Sequence, residues 1–181
     1  QKELRRLDPC IPVALFAEHT AGVILLTGCR EGRLAQLIAS GRQTEAELTL
    51  RRYIDWCGRD QVFVELVDNY VFGDRPRNEA LVRLAERVGV PVVGTGDVHY
   101  HDPDRHRLQD VLVAIKHRKT LDDSHRERRP NAEFYLRSPQ EQAERFAQYH
   151  PEAAINSVRI AQRCWFDLTA DLGYRLPAPP V

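Results

Sequence analysis

An acid and an imidazole follow an apolar run in the second half of the sequence, and their residue types are those of a metal site. Asp97 and His99 come directly after "VPVVGTG" and are two positions apart. In an extended segment this spacing points both side chains the same way, so that they can bind one divalent ion. Cys29 follows another apolar run, "VILLTG". A thiolate from that position would complete a mixed set of ligands that suits zinc.

The same three residues also have simpler interpretations. Asp97 can cap the turn that follows its strand, and His99 can hydrogen-bond a backbone carbonyl. Cys29 can be a small buried apolar side chain, which is the commoner role of a single cysteine. The spacing alone therefore leaves both a metal site and a polar loop open.

The surroundings of this pair are strongly basic and rich in histidine. The runs "RHR" at 105–107 and "HRERR" at 125–129 can contact phosphate groups, or they can simply be solvated. His101 and His106 are expected to be solvated surface residues. Tyr100 is expected to pack beneath the site rather than to take part in chemistry.

Strands and helices alternate along the part of the chain that must position these residues. Apolar runs predict buried strands at 22–28, 61–66 and 90–96, with helices between them. This order is typical of parallel βαβ units, whose strand ends meet at the edge where such folds place their chemistry. Gly94 and Gly96 are expected to let the backbone pass close to a neighbouring strand or a ligand.

Local signals predict where several helices begin and end. Thr44 is a plausible N-cap, and Gly89 is expected to stop the helix before it. The first two helices should each bury one stripe, formed by Leu34, Leu37 and Ile38 in one and by Leu48, Tyr53 and Trp56 in the other.

The later part of the chain is predicted to be mostly helical. A helix is expected at 104–117, followed by a long charged segment. Ser138, Pro139 and Glu141 have the pattern of a capping box at the start of the next helix, and a last helix is expected at 151–166. The opening residues 1–12 and the proline-rich tail 172–181 are expected to be a loop and an extended linker.

Composition narrows the class of protein. The chain has 181 residues, of which 43% are hydrophobic and 29% charged, as in globular proteins. Lys plus Arg and Asp plus Glu are 26 each, so no global cationic field attracts nucleic acid or a membrane. The sequence has neither a C-x-x-C pair nor a secretory segment, which favours the cytoplasm. The sequence begins with Gln1 and has no Met, so we expect a piece of a longer polypeptide.

Four segments, quoted in order, resemble bacterial C-family DNA polymerases. They are "GVILLTGCREGRLAQLIASG", "LVRLAERVGVPVVGTGDVHY", "RHRLQDVLVAIKHRKTLDDSHRERRPNAEFYLRSPQE" and "PEAAINSVRIAQRCWFDL". The resemblance covers the chain from about Gly22 to Val181. The family includes the replicative polymerase III alpha subunit and its error-prone relative, and the sequence resembles the error-prone relative more closely.

This resemblance implies a fold and a site. Residues 1–130 would be the second half of a PHP domain, a distorted (β/α)7 barrel with parallel strands, and 131–181 a helical connector and proline-rich linker towards the polymerase palm. The implied metal ligands are Cys29, Asp97 and His99, with Zn or Mn in the PHP site. The family's H-x-H half of the PHP domain and its Mg-binding palm aspartates are not part of this sequence, so the piece alone is not expected to polymerise.

Three functions remain open at this point. The first is a segment of an error-prone DNA polymerase, with DNA, deoxynucleotides and damage-response or replication proteins as partners of the full-length parent, and with no membrane partner. The second is a metal-dependent PHP phosphoesterase. The third is a non-catalytic PHP scaffold whose metal site is vestigial.

Overall fold

The computed structural model describes residues 11–167 and 169–173 as an α/β fold. Three parallel strands form one open sheet in the order β1-β2-β3, with β1 at Leu25–Leu26, β2 at Val62–Val67 and β3 at Val92–Thr95. The helices of this described part are α1 Val13–Glu18, α2 Arg33–Ala39, α3 Gln43–Cys57, α4 Asp74–Val88, α5 His106–His117, α6 Pro139–Ala147 and α7 Ala153–Arg163. The predicted parallel α/β arrangement is confirmed, whereas closure into a barrel stays a prediction.

The central strand β2 is buried along almost its whole length. Every residue of "VFVELV" except Glu65 is buried, because helices cover a parallel sheet and leave its central strand little contact with water. Its branched and aromatic side chains favour the pleated conformation. The predicted strand at 61–66 is therefore confirmed to within one residue, and β3 is confirmed inside its predicted range.

The first predicted strand is much shorter than the sequence suggested. Only Leu25–Leu26 of the range 22–28 is a strand, and Leu26 is 37% exposed. In the described part of the chain β1 pairs with β2 on one side and with no strand on the other. The prediction of a fully buried strand was wrong here because the strand lies at the edge of the sheet.

Helices α2, α3 and α4 build the core beside β2. Leu34 and Leu37 are buried as predicted, and Ile38 packs against the same core. In α3 the predicted stripe is wrong at Leu48, which is 60% exposed, since Ala46 and Leu50 face the core instead. The predicted cap at Thr44 is also wrong, because α3 begins one residue earlier and has no side-chain cap.

The end of α4 follows the sequence prediction. Gly89 has φ 75° in the left-handed region, and its N–H donates to Ala85 O at 2.8 Å. Glycine adopts this conformation without a steric penalty. The apolar face of α4 is buried and is formed by Leu81, Leu84, Ala85 and Val88.

The later helices pack onto β3. Helix α6 begins with the predicted capping box, in which Ser138 and Glu141 bond to each other's backbone N–H groups. Its Phe146 is fully buried and lies against Gly94, where an added Cβ would come within 2.4 Å of the ring. The glycine therefore permits close contact between the sheet and a helix, α6, whereas the sequence predicted close contact with a strand or a ligand.

Helices α5 and α7 lie within their predicted ranges, and each is shorter than predicted. Of the segments expected to be irregular, residues 1–10 and 174–181 lie outside the described residues. The boundary predicted between 130 and 131 stays a prediction. Among the helices described, none combines the length and the apolar character that crossing a bilayer requires.

Candidate metal centre

The ends of the three strands meet at one edge of the sheet, as the parallel pairing requires. Cys29 follows β1, Asp68 and Asn69 follow β2, and Asp97 and His99 follow β3. This common edge is where open parallel sheets hold ligands. All five residues therefore follow the carboxyl ends of parallel strands.

Asp97 and His99 lie side by side, but their backbone is not the extended one assumed from the sequence. Asp97 has φ 43°, a left-handed conformation that aspartate adopts more readily than most residues. Its Oδ1 lies 3.4 Å from His99 Nε2. The turn after β3 therefore brings together the carboxylate and the imidazole that an extended strand was expected to align.

Arg129 lies against both members of this pair. Its Nη2 donates to His99 Nε2 and lies 4.0 Å from Asp97 Oδ2, while its guanidinium carbon sits 5.0 Å from the centre of the Phe134 ring. If Nε2 accepts this bond, the proton of the neutral His99 ring is on Nδ1. A guanidinium thus occupies the space beside the two atoms that would bind a divalent ion.

Cys29 leaves the same edge as a free, partly buried thiol. Among residues 11–167 and 169–173, however, no group of three or more His, Cys, Asp or Glu side chains is arranged to hold a metal ion. The structure thus pairs Asp97 with His99 but does not add Cys29 to them as a third ligand. The assignment of all three as ligands stays a prediction.

The neighbouring residues have the roles expected of them, with one exception. Tyr100 is 8% exposed beneath the site, and its burial raises the pKa of its hydroxyl. His101 is exposed, as predicted. His106 is only partly exposed, because its ring lies against the turn before α5, with Nδ1 3.0 Å from Pro103 O.

Glu65 was not identified from the sequence and connects the three strand ends. Its Oε2 accepts from Gly28 N at 3.0 Å and its Oε1 accepts from Thr95 Oγ1 at 2.5 Å. Its own backbone N–H donates to Thr27 Oγ1 at 2.9 Å. The signal available in the sequence was a single acid inside an apolar strand, which is costly to bury unless it is hydrogen-bonded.

The residues after β2 bind the connector. Asp68 is 3% exposed, and its Oδ2 accepts from Tyr149 Oη at 2.6 Å. Asn69 is fully buried, and its Oδ1 accepts from Arg137 Nη2 at 2.9 Å. Burial, together with the bond to Asp68, raises the pKa of Tyr149. These two residues therefore hold the connector against the edge of the sheet.

The connector also pairs with the segment that carries His99. The N–H of His99 donates to Phe134 O at 2.8 Å, and the N–H of Leu136 donates to Tyr100 O at 3.0 Å. Tyr100 and Tyr135 form a parallel bridge. The position of His99 thus depends on residues that follow it by more than thirty positions.

Comparison with known proteins shows that the chain is similar in sequence to DNA polymerases. An error-prone DNA polymerase of Symbiobacterium thermophilum is 38% identical over 160 residues, which is 88% of this chain and 14% of that protein. A DNA polymerase III subunit alpha of Treponema pallidum is 38% identical over 86% of this chain and 13% of that protein. The chain is homologous to one segment of these polymerases.

The polymerase segment extends along nearly the whole chain. An error-prone DNA polymerase of Nocardia farcinica is 39% identical over an alignment that covers 100% of this chain and 17% of that protein. The chain therefore spans about one seventh of the length of the relatives that it matches. No family model matches it.

Proposed function

We propose that the chain is part of a bacterial C-family DNA polymerase of the error-prone branch, and that its full-length parent extends primers with deoxynucleotides during damage-tolerant synthesis in the cytoplasm. The single observation that carries this proposal is the 38% identity to an error-prone DNA polymerase over 88% of the chain. Polymerase III alpha relatives match at the same identity. The error-prone branch is favoured by the segment "RHRLQDVLVAI".

Within that polymerase, residues 1–130 are proposed to be the second half of the PHP domain and 131–181 the connector towards the palm. The hydrogen bonds of Asp68 with Tyr149 and of Asn69 with Arg137 hold the proposed connector against the sheet. DNA, deoxynucleotides and damage-response or replication proteins are the proposed partners. The palm would supply the Mg-dependent nucleotidyl transfer.

Asp97 and His99 are proposed ligands of a Zn or Mn ion in the parent, with Cys29 as the third ligand from this chain. A bound divalent ion would activate water and bind phosphate oxygens for phosphoester cleavage. Support comes from the 3.4 Å approach of Asp97 Oδ1 to His99 Nε2. The described residues hold no group of three such side chains, so the proposal requires Arg129 to move and other ligands to come from the parent.

A non-catalytic PHP scaffold is the second candidate, and the position of Arg129 favours it. A guanidinium beside Asp97 and His99 provides a fixed positive charge that can stabilise the carboxylate without a metal. In this case the strand ends would serve to hold the connector and, through it, the polymerase core.

Metal analysis of the purified parent separates the two candidates. The PHP metal site predicts bound Zn or Mn that is reduced in Asp97→Asn, His99→Ala and Cys29→Ser variants, and unchanged in Cys164→Ser, whose thiol is exposed. The scaffold predicts no bound transition metal in any of these proteins. A parent that loses metal in the first two variants but not in Cys29→Ser would remove the cysteine from the ligand set.

Primer extension tests the polymerase itself. The parent is expected to extend a labelled primer on a template, on undamaged DNA and past a lesion, whereas the 181-residue chain alone is expected to be inactive. A parent without template-directed extension would contradict the proposal. Extension that stops at every lesion would contradict the error-prone assignment alone.

A further inference from the structure

Two clefts share Arg129 in their lining and are bordered mainly by nitrogen-bearing side chains. The first cleft has a volume of about 320 Å³ and is bordered by the start of α5 and by the loop 125–132. The second cleft has a volume of about 410 Å³ and lies between Arg129 and the later turns of α5. Arg129 lines both clefts.

The first cleft is lined by hydrogen-bond donors, and its acid, Asp110, is already paired with Arg128. Arg128 Nη1 donates to Asp110 Oδ2 at 3.1 Å, and its Nη2 contacts His125 Nδ1. Arg128 Nε is buried and has no hydrogen-bond partner among the described residues. If His125 Nδ1 accepts from Arg128, the proton of the neutral ring is on Nε2. His125 Nε2 and the second hydrogens of Arg128 Nη1 and Nη2 therefore remain for an anion, whereas the buried Arg128 Nε does not face the cleft.

The second cleft is also lined by basic side chains beside a paired acid. Lys116 and His117 line it, and both are exposed. Its one acid, Glu127, is bound by Lys119 at 2.5 Å. Because Asp110 and Glu127 are paired with Arg128 and Lys119, neither acid cancels the positive charge of Lys116, whereas Arg129 shares its charge with Asp97 at 4.0 Å.

We propose that these two clefts, which share Arg129, bind successive phosphates of a single-stranded DNA backbone. Two adjacent clefts that share an arginine fit a chain of phosphates better than one isolated phosphate. Within residues 11–167 and 169–173, no Phe, Tyr or Trp side chain borders either cleft, so base stacking is not part of the proposed contact. Binding by phosphate contacts alone is independent of sequence and sensitive to salt.

The choice of DNA over another polyphosphate rests on the proposed polymerase function. The presence of the two clefts and of their basic lining does not depend on that function. The contact would hold template or primer strand beside the PHP segment while synthesis takes place elsewhere in the parent. The exposed arginines of the two basic runs, Arg105, Arg107 and Arg126, would extend the attractive field beyond the clefts.

Fluorescence anisotropy of a labelled mixed-sequence oligodeoxynucleotide with the 181-residue chain tests this proposal. Arg128→Gln and Lys116→Gln are each expected to weaken binding about fivefold at low salt. Each is also expected to reduce the slope of log affinity against log salt by about 0.7. Arg128→Lys should retain most of the affinity, and the control Arg75→Gln, an exposed arginine of α4, should change nothing.

Several results would overturn the proposal. These are the absence of binding by the unchanged chain, equal losses in Arg75→Gln and Arg128→Gln, or complete competition by inorganic phosphate at the concentration of the oligonucleotide. Lys116 is exposed, so Lys116→Gln keeps the test valid if Arg128→Gln fails to fold. Primer extension by the parent is measured separately, so a failure of the clefts is distinguishable from a failure of the polymerase assignment.

Discussion

The hydroxyl of Tyr149 donates a 2.6 Å hydrogen bond to Oδ2 of Asp68. The two residues are 81 positions apart, one following α6 and the other following β2. The other Asp68 oxygen accepts from Tyr70 N at 3.0 Å and lies 4.0 Å from Arg145 Nη1. A buried carboxylate is tolerated only when it is bonded in this way, so the connector and the sheet stabilise each other here.

Replacing Tyr149 with Phe is expected to lower the free energy of unfolding by about 1–3 kcal/mol, since a buried acceptor loses its partner. Urea unfolding followed by circular dichroism measures this change. Tyr135→Phe is the matched control, because its hydroxyl bonds to the exposed Glu141 at 3.0 Å. Equal effects of the two variants would show that Asp68 does not depend on Tyr149.

Adding a methyl group at Gly94 is expected to destabilise the contact between α6 and β3. The new Cβ would lie 2.4 Å from Phe146 Cδ2, and overpacking of this kind costs about 1–3 kcal/mol. The measurement is the free energy of unfolding of Gly94→Ala, Phe146→Leu and the double variant. We expect the double variant to be more stable than the sum of the two single effects predicts. Simple additivity would contradict the contact.

The sequence was sufficient to predict the sheet and most helices because their signals are local. Branched apolar runs predicted β2 and β3, and the Ser138 and Gly89 signals predicted where α6 begins and α4 ends. Leu48 was assigned to the wrong face because α3 carries two apolar stripes, and only the packing of α2 and α4 decides which one is buried.

The candidate site was predictable only in part. The spacing of Asp97 and His99 indicated their proximity, although the turn that produces it is left-handed rather than extended. Arg129 could not be assigned to the pair from spacing, because it lies 30 positions beyond His99 in the sequence. The two side chains meet only in the folded chain. Contacts between residues so distant in sequence depend on the tertiary fold and have no local signal.

The capping box of α6 is expected to weaken in acid. The backbone N–H of Ser138 and the Ser138 hydroxyl hold the pKa of Glu141 below its usual 4.5. A carboxyl with a lowered folded pKa stabilises above its unfolded pKa, and this contribution is lost as the pH falls through the folded value. The difference in unfolding free energy between the unchanged chain and Glu141→Gln should therefore be constant well above pH 4.5 and decrease as the pH falls below 4.5 through the lowered folded pKa. A difference that grows in acid would contradict the assignment.

Removing the N-cap itself has a separate consequence. Ser138→Ala is expected to lower the free energy of unfolding by about 1 kcal/mol at neutral pH, because Glu141 N loses the Ser138 Oγ acceptor. Thr44→Ala in α3 is the matched control, and it should have a smaller effect because Thr44 is not a cap. Thermal unfolding of both variants measures the difference, and equal shifts of the midpoint would show that the cap contributes nothing.

Arg129 is expected to oppose metal binding by Asp97 and His99. Its positive charge lies 4.0 Å from Asp97 Oδ2 and contacts His99 Nε2, so a divalent ion at the pair meets both electrostatic repulsion and competition for the imidazole. Arg129→Gln should therefore bind Zn²⁺ about tenfold more tightly than the unchanged chain, a Coulomb effect of roughly 1–2 kcal/mol at a partly exposed site. Competition with a chromogenic chelator measures it, with Arg75→Gln as the control for loss of one charge. Weaker zinc binding in Arg129→Gln would mean that the guanidinium orients the ligands instead of excluding the ion, because His99 would then need its contact with Arg129 to present Nε2 to the metal.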